Sequence, residues 1–244
     1  MKNASFYAAR FATLLKRIKA KYPGESPDPA DPISQVIIAF LEWNTTRSNA
    51  DKAFRRLMSQ CVDINELRVC HPHEIVRMIG SRYPRAEERS IRLLETLNAV
   101  FQREQAVALR SLEKKGKKEV RAYLDSLPGI PPFVVAQVTL FCYEGHAIPV
   151  DDQLAALLRS EQVVNEEATI EEIGSFLEHQ IRAGTGLDAY TALMAWIDAG
   201  PKRLSLDTPK RRSTKSAQTQ SSTKKASKTK VKKVTKSHRT AVRR

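Results

Sequence analysis

Two adjacent carboxylates, Asp151 and Asp152, directly follow the apolar segment Ile148-Pro149-Val150. A carboxylate can stabilise positive charge that develops on a reacting group, and it can orient or deprotonate a water molecule. Two neighbouring carboxylates can also raise one another's pKa. The alternative role is structural, because an aspartate at this point can cap the helix that Leu154 and Leu157 predict. The residues themselves leave both roles open.

A tight turn lies shortly before these carboxylates. Two segments of helical character within residues 124–138 flank Pro128-Gly129-Ile130. Gly129 can adopt a backbone conformation that is closed to other residues, so the chain can reverse within a few positions. Such a turn presents backbone amides at the start of the second helix, where the helix dipole favours a phosphate oxygen. We therefore expect phosphate contacts at Leu127, Gly129 and Ile130.

The turn and the carboxylate have a specific spacing. Leu127-Pro128-Gly129-Ile130, followed by Val150-Asp151 with the aspartate 22 positions after the glycine, resembles the core of the helix-hairpin-helix DNA glycosylases, the endonuclease III-like superfamily. The resemblance implies that the hairpin grips the DNA backbone and that Asp151 drives removal of a base, with Asp152 as a second candidate. It also implies that Asn44 fills the gap left by an extruded base. From the residues alone, Asn44 could instead cap the following helix.

Four departures from the family pattern weigh on activity. The position of the Schiff-base lysine holds Phe133, which has no amine, so strand cleavage by that route is not expected. Pro131 replaces a second hairpin glycine and removes one N–H donor. Arg47 stands where many relatives have an acid. Residues 187–244 contain no cysteine, so the ligands of an iron–sulfur cluster are missing and no cofactor is expected.

The rest of the chain predicts an all-α protein, because no segment alternates apolar and polar residues as a strand would. Asp63 is expected to cap a short helix, and a further helix is expected to begin near Thr169. The resemblance implies two helical lobes, one formed by residues 1–32 with 155–200 and the other by 33–154. Residues 1–24 contain no acid, which is typical of an organellar presequence, but their apolar spacing favours a first helix. No run of 18 apolar residues occurs, so no membrane span is expected.

The last segment, 201–244, has a different composition. It holds 16 of the 41 Lys and Arg residues and one of the 27 acids, so residues 1–200 carry 25 basic and 26 acidic residues and are almost neutral. With almost nothing apolar to bury, this tail is predicted to be disordered. It resembles the tails of histone H1-type proteins and predicts binding to nucleic acid that is indifferent to sequence; a tail that serves only solubility is the alternative. The expected DNA contacts are Lys224, Lys225, Lys228, Lys230, Lys232 and Lys233.

Three scattered cysteines indicate a reducing compartment, and with DNA as the partner we expect a cytoplasmic, nucleoid-associated or nuclear protein. A zinc site at Cys61, Cys70, His71 and His73 is not favoured, because adjacent ligands and Pro72 make tetrahedral convergence awkward.

Three hypotheses follow. The chain is a DNA-binding repair protein and monofunctional N-glycosylase, a non-catalytic DNA-binding protein of the same fold, or a chromatin-type architectural protein that acts through its tail.

Overall fold

The computed structural model describes residues 4–25 and 31–200. These residues form eleven α-helices and two short 3₁₀ helices, and they contain no strand. The predicted all-α class is therefore confirmed for the described part. The tail 201–244 and its predicted lysine contacts lie outside the described residues. The helices are α1 (Ala4–Lys21), α2 (Pro32–Glu42), α3 (Arg47–Gln60), α4 (Ile64–Val69), α5 (Pro72–Ile79), α6 (Ala86–Glu104), α7 (Lys117–Asp125), α8 (Pro132–Tyr143), α9 (Asp152–Ser160), α10 (Ile170–Gln180) and α11 (Gly186–Asp198).

Several helices begin where the sequence supplies a capping side chain. Asp63 accepts a hydrogen bond from the amide of Glu66 at the start of α4. Thr169 and Glu172 form a reciprocal capping box at the start of α10. Both starts were predicted from the sequence and are confirmed. Each cap satisfies an amide that has no partner within its own helix.

Two hydrophobic clusters hold the helices together. The first runs from Ile33 to Val138 and includes α2 through the first half of α8. The second contains Phe11, Leu14 and Ile18 of α1, and it then extends from Leu140 at the end of α8 through α9 and α10 to α11. The first half of α8 thus packs in the first cluster and its end packs in the second, whereas the sequence analysis placed the boundary between the lobes at residue 154. The division into lobes stays a prediction. A helix that is apolar on all sides, as α8 is, can serve both clusters.

A buried cation fixes the end of α2. Arg89 on α6 is fully buried and donates hydrogen bonds to the carbonyls of Phe40, Trp43 and Pro84. Burial lowers the pKa of Arg89 to about 10. The Tyr83 hydroxyl donates to the carbonyl of Leu41, at the same end of α2, at 2.8 Å. These bonds hold the segment that leads into Asn44, which reaches the site described below.

None of the described helices combines the length and the apolar character needed to cross a membrane.

Candidate functional site

Residues 124–138 fold as the predicted hairpin. Helix α7 ends at Asp125, the chain reverses through Gly129, and α8 begins at Pro132. Gly129 has a φ of +79°, and a Cβ at this position would lie 2.6 Å from the carbonyl oxygen of Arg92. The turn therefore requires glycine at position 129 for two reasons: its backbone conformation and its close approach to α6.

Three side chains of α6 bind the carbonyls of the hairpin turn. Arg92 Nε donates to the Gly129 carbonyl at 2.7 Å and Thr96 Oγ1 donates to the Pro128 carbonyl at 2.9 Å. About two turns further along the same helix, Arg103 NH2 donates to the Ser126 carbonyl at 2.7 Å. The turn is consequently held against α6 through its carbonyl acceptors.

The donors of the turn are unevenly available. The amides of Gly129 and Ile130 find no acceptor among the residues that the structure describes. The Leu127 amide, in contrast, donates to the Leu124 carbonyl at 3.0 Å and is used within the hairpin. Its predicted phosphate contact would require that bond to open. Pro131 and Pro132 have no N–H, so two amides remain in the turn for an anion.

A cleft of about 340 Å³ opens beside the hairpin. Trp43, the hairpin helix α8 with Phe133, the start of α9 with Asp151, and one face of α10 form its walls. Three cations also line it: Arg85, Arg92 and Arg121. Arg85 and Arg92 each lie over the Trp43 ring, at 4.8 Å and 5.0 Å from its centroid. The cleft thus offers an aromatic wall, the Asp151 carboxylate, and three cations that share its lining with Asp152, Glu171 and Glu178.

Asp151 is 4% exposed and caps α9, so the capping role is confirmed. Its Oδ1 accepts from the Leu154 amide at 2.8 Å, and its Oδ2 accepts from the Asn44 amide at 2.9 Å. Burial raises the pKa of Asp151, whereas these backbone hydrogen bonds lower it. Asp152 is more exposed, and its Oδ2 accepts from Arg85 NH2 at 3.1 Å and Asn44 Nδ2 at 2.9 Å. Of these two carboxylates, only Asp151 is buried, and its hydrogen-bond donors are backbone amides rather than a cation.

Asn44 does not cap α3. Thr46 does so, since its hydroxyl accepts from the Asn49 amide at 3.3 Å. Asn44 instead has a left-handed backbone, with a φ of +59°, and its side chain is buried against the start of α9. The capping alternative is therefore wrong. A contact of Asn44 with DNA stays a prediction, and it would compete with the bonds to Asp152.

Solved structures with the same arrangement of helices are known. A structure of endonuclease III trapped covalently on DNA superposes with a TM-score of 0.61 over 77% of this chain and 84% of that chain, at 12% identity. A thermostable thymine-DNA glycosylase gives 0.57 over 82% and 90%, at 16% identity. The 3-methyladenine DNA glycosylase of H. pylori gives 0.56 over 82% and 98%, at 12% identity. No protein-family model and no curated protein matches the sequence.

The chain has the fold of the helix-hairpin-helix DNA glycosylases. On this glycosylase fold, Phe133 lies in the first turn of α8, 5% exposed, and lines the cleft together with Asp151. An apolar ring therefore lies on the cleft wall at the position where the resemblance places an amine.

A buried polar network that the sequence did not predict joins the end of α2 to α8 and to the start of α3 in this glycosylase fold. Glu42, 4% exposed, accepts from Gln137 Nε2 at 2.8 Å and from Arg47 NH1 at 3.3 Å. Burial raises the pKa of Glu42 to about 7. Arg47 also donates from Nε to Asp51 and from its backbone amide to Asp198. The sequence feature that could have indicated this network is Glu42, a lone acid at the end of an apolar helix, followed five residues later by Arg47.

Within the described residues, no group of three or more His, Cys, Asp or Glu side chains is arranged to hold a metal ion. The set considered from the sequence, Cys61, Cys70, His71 and His73, is included in that statement. The rings of His71 and His73 stack on each other, 5.5 Å apart.

Proposed function

We propose that this protein binds duplex DNA and removes a base, as a monofunctional N-glycosylase of base-excision repair in which Asp151 activates water. One observation carries the proposal: a buried carboxylate lines the same cleft as a hairpin whose turn has two amides without an acceptor among the described residues. The glycosylase fold supports the same conclusion.

The chemistry follows from the surroundings of Asp151. Positive charge develops on the sugar as the bond to the base lengthens, and a nearby carboxylate lowers the energy of that charge. The hydrogen-bond partners of Asp151 are the amides of Leu154 and Asn44 rather than a cation, so its charge stays available when it is ionised. The same carboxylate can orient the attacking water. Phe133 supplies no amine, so the reaction would end at base loss without strand cleavage.

DNA binding would rest on the hairpin and the rim of the cleft. The amides of Gly129 and Ile130 can donate to a phosphate oxygen. The cations Arg85, Arg92 and Arg121 line the cleft, where a phosphate would compete for them with the acids of their ion pairs. The tail 201–244 would add binding that does not depend on sequence. A protein with these contacts would be found with the nucleoid or in a nucleus.

A second candidate is a DNA-binding protein of this fold that performs no chemistry. It is favoured by the state of the Asp151 carboxylate, in which each oxygen already accepts a backbone hydrogen bond and little of the residue is exposed. A water molecule bound there would have to use the remaining acceptor capacity of the two oxygens. This arrangement suits a structural cap as well as a catalytic group.

One assay distinguishes the two candidates. Duplexes that carry uracil, thymine glycol, oxidised guanine or an alkylated base are incubated with the protein and then heated in alkali, which cuts the strand wherever a base is missing. The enzyme hypothesis expects alkali-dependent cuts that disappear in Asp151→Asn. Asparagine still caps a helix, so this variant removes the charge and keeps the cap of α9. It has one acceptor oxygen where Asp151 has two, so it also loses one of the two backbone hydrogen bonds, and its urea midpoint is measured to check the fold. Asp63→Asn, at the cap of α4, is the matched control and should cut normally.

Binding without cuts on any of these duplexes would support the non-catalytic candidate instead. Cuts that persist in Asp151→Asn would show that another group performs the reaction. Strand cleavage without alkali would contradict the expectation drawn from Phe133.

A further inference from the structure

The Asn44 residue is joined to the start of α9 by four hydrogen bonds. Its amide donates to Asp151 Oδ2 at 2.9 Å, and its side-chain Nδ2 donates to Asp152 Oδ2 at 2.9 Å. In return, the Asp152 amide donates to Asn44 Oδ1 at 3.0 Å, and Gln153 Nε2 donates to the Asn44 carbonyl at 3.2 Å. The backbone and side-chain polar groups of one residue are thus directed at three consecutive residues more than a hundred positions away in the chain.

This arrangement requires an unusual backbone. Asn44 has a φ of +59°, a conformation that asparagine tolerates better than most residues because its short amide can form local hydrogen bonds. In this conformation the amide reaches Asp151 while the side chain reaches Asp152. Arg85, which also has a positive φ, donates to the same Asp152 oxygen at 3.1 Å. Asp152 is therefore held from two sides and is a fixed anchor for Asn44.

We propose that Asn44 is the positioning residue for Asp151, fixing the direction of its carboxylate in the cleft through the backbone N–H, and that Asp152 anchors Asn44 rather than taking part in the chemistry. The inference rests on the proposed function in that Asp151 is the group that acts. The role differs from the gap-filling contact expected for Asn44 from sequence, because it operates in the free protein.

The contact has an electrostatic consequence that can be measured. A backbone N–H that donates to a carboxylate favours its ionised form, so the Asn44 amide lowers the pKa of Asp151 against the effect of burial. The other titratable groups that interact with Asp151 are Asp152 beside it, Arg89 on α6 and Tyr190 on α11. A variant of Asn44 leaves Arg89 and Tyr190 in place but removes two hydrogen bonds of Asp152, so the Asp152 signal is followed beside that of Asp151 in the same titration.

The experiment is a pH titration of the full chain labelled with ¹³C at the aspartate carboxyl carbons, followed by NMR. The Asp151 signal is assigned by its loss in Asp151→Asn. Asn44→Gly accepts the left-handed backbone without strain but loses the side-chain anchor, whereas Asn44→Ala loses the anchor and disfavours that backbone. We expect the Asp151 midpoint to move to higher pH in Asn44→Gly and further in Asn44→Ala. If the protein cleaves, the acidic limb of its pH–rate profile should move the same way.

The control is Gln105→Ala, because Gln105 also has a left-handed backbone but lies at the far end of α6, about 30 Å from Arg85. Its Asp151 midpoint should equal that of the unaltered protein. An equal midpoint in the Asn44 variants as well would overturn the inference. If Asn44→Ala does not fold, Asn44→Gly decides alone. Absence of cleavage by the unaltered protein would count against the proposed function, yet the carboxyl titration would still be read.

Discussion

Replacement of Gly129 by alanine should destabilise the protein more than the same change at a glycine with open space around it. Gly129 has a φ of +79°, and the added Cβ would lie 2.6 Å from the carbonyl oxygen of Arg92 and 2.9 Å from Glu95 Oε2. The end of the Glu95 side chain can move aside. The Arg92 carbonyl belongs to the backbone of α6, so the hairpin itself must shift instead.

The expected magnitude has two parts. Holding alanine in a sparsely populated backbone region costs about 1–3 kcal/mol. A hairpin displaced from α6 also loses the hydrogen bond from Arg92 Nε to the Gly129 carbonyl, and a bond from a charged donor contributes about 1.5–3 kcal/mol. We therefore expect Gly129→Ala to lower the free energy of unfolding by about 2.5–6 kcal/mol, which for a domain of this size lowers Tm by roughly 5–24 °C.

Gly80→Ala is the matched control. Gly80 has a φ of +102°, and no atom lies within 4 Å of a Cβ built there, so only the backbone cost of about 1–3 kcal/mol applies. Urea unfolding of both variants, followed by the fluorescence of Trp43 and Trp196, measures the difference. A loss at Gly129 no larger than the loss at Gly80 would refute the close-approach argument. Duplex binding at low salt, measured on the same samples, should be weaker for Gly129→Ala because the amides of the turn move.

Three further predictions concern a buried acid, a buried cation and the tail. Burial raises the pKa of Glu42 to about 7, above its unfolded value of 4.5. The protonated carboxyl therefore stabilises the fold fully below pH 4.5, and this contribution is lost as the pH rises to about 7. In Glu42→Gln, the urea midpoint should change less between pH 4.5 and pH 7 than in the unaltered protein. Arg89→Leu should lower the free energy of unfolding by about 3–5 kcal/mol in thermal unfolding, because it leaves buried carbonyls without donors. Deletion of 201–244 should flatten the dependence of duplex affinity on salt by about 0.9 in the log–log slope for each phosphate that the tail neutralises, and an unchanged slope would contradict the role of the tail.

The parts of the fold that the sequence predicted depend on local chemistry. The caps at Asp63 and Thr169 are fixed by residues three positions apart. The hairpin is fixed by one glycine between two helical segments, and it forms as predicted. The all-α class follows from apolar spacing within single helices. In each case the interacting groups are near neighbours in the chain, so their spacing carries the information.

The interior of the site depends on contacts between distant residues, which a single sequence does not display. The local sequence is compatible with Asn44 as a cap for α3, but the partners of Asn44 lie 107 and 108 positions away. The cap of α3 is Thr46, two residues later. Both residues are of the type that caps helices, and tertiary contacts alone decide which one does so. The same limit applied to Asp151, whose capping role and cleft position are compatible in the structure although the sequence presented them as alternatives.

Arg47 illustrates why a departure from a family pattern cannot be judged at one position. A cation in place of an acid implies a broken network only if the surrounding charges stay as they are in relatives. Here Arg47 donates to Glu42 and Asp51 through its side chain and to Asp198 through its amide. Arg47 thus has a polar network of its own, which includes the Glu42 carboxyl whose pKa burial raises to about 7. Loss of activity does not follow from Arg47, and the question of chemistry returns to Asp151 and to the apolar Phe133 beside it.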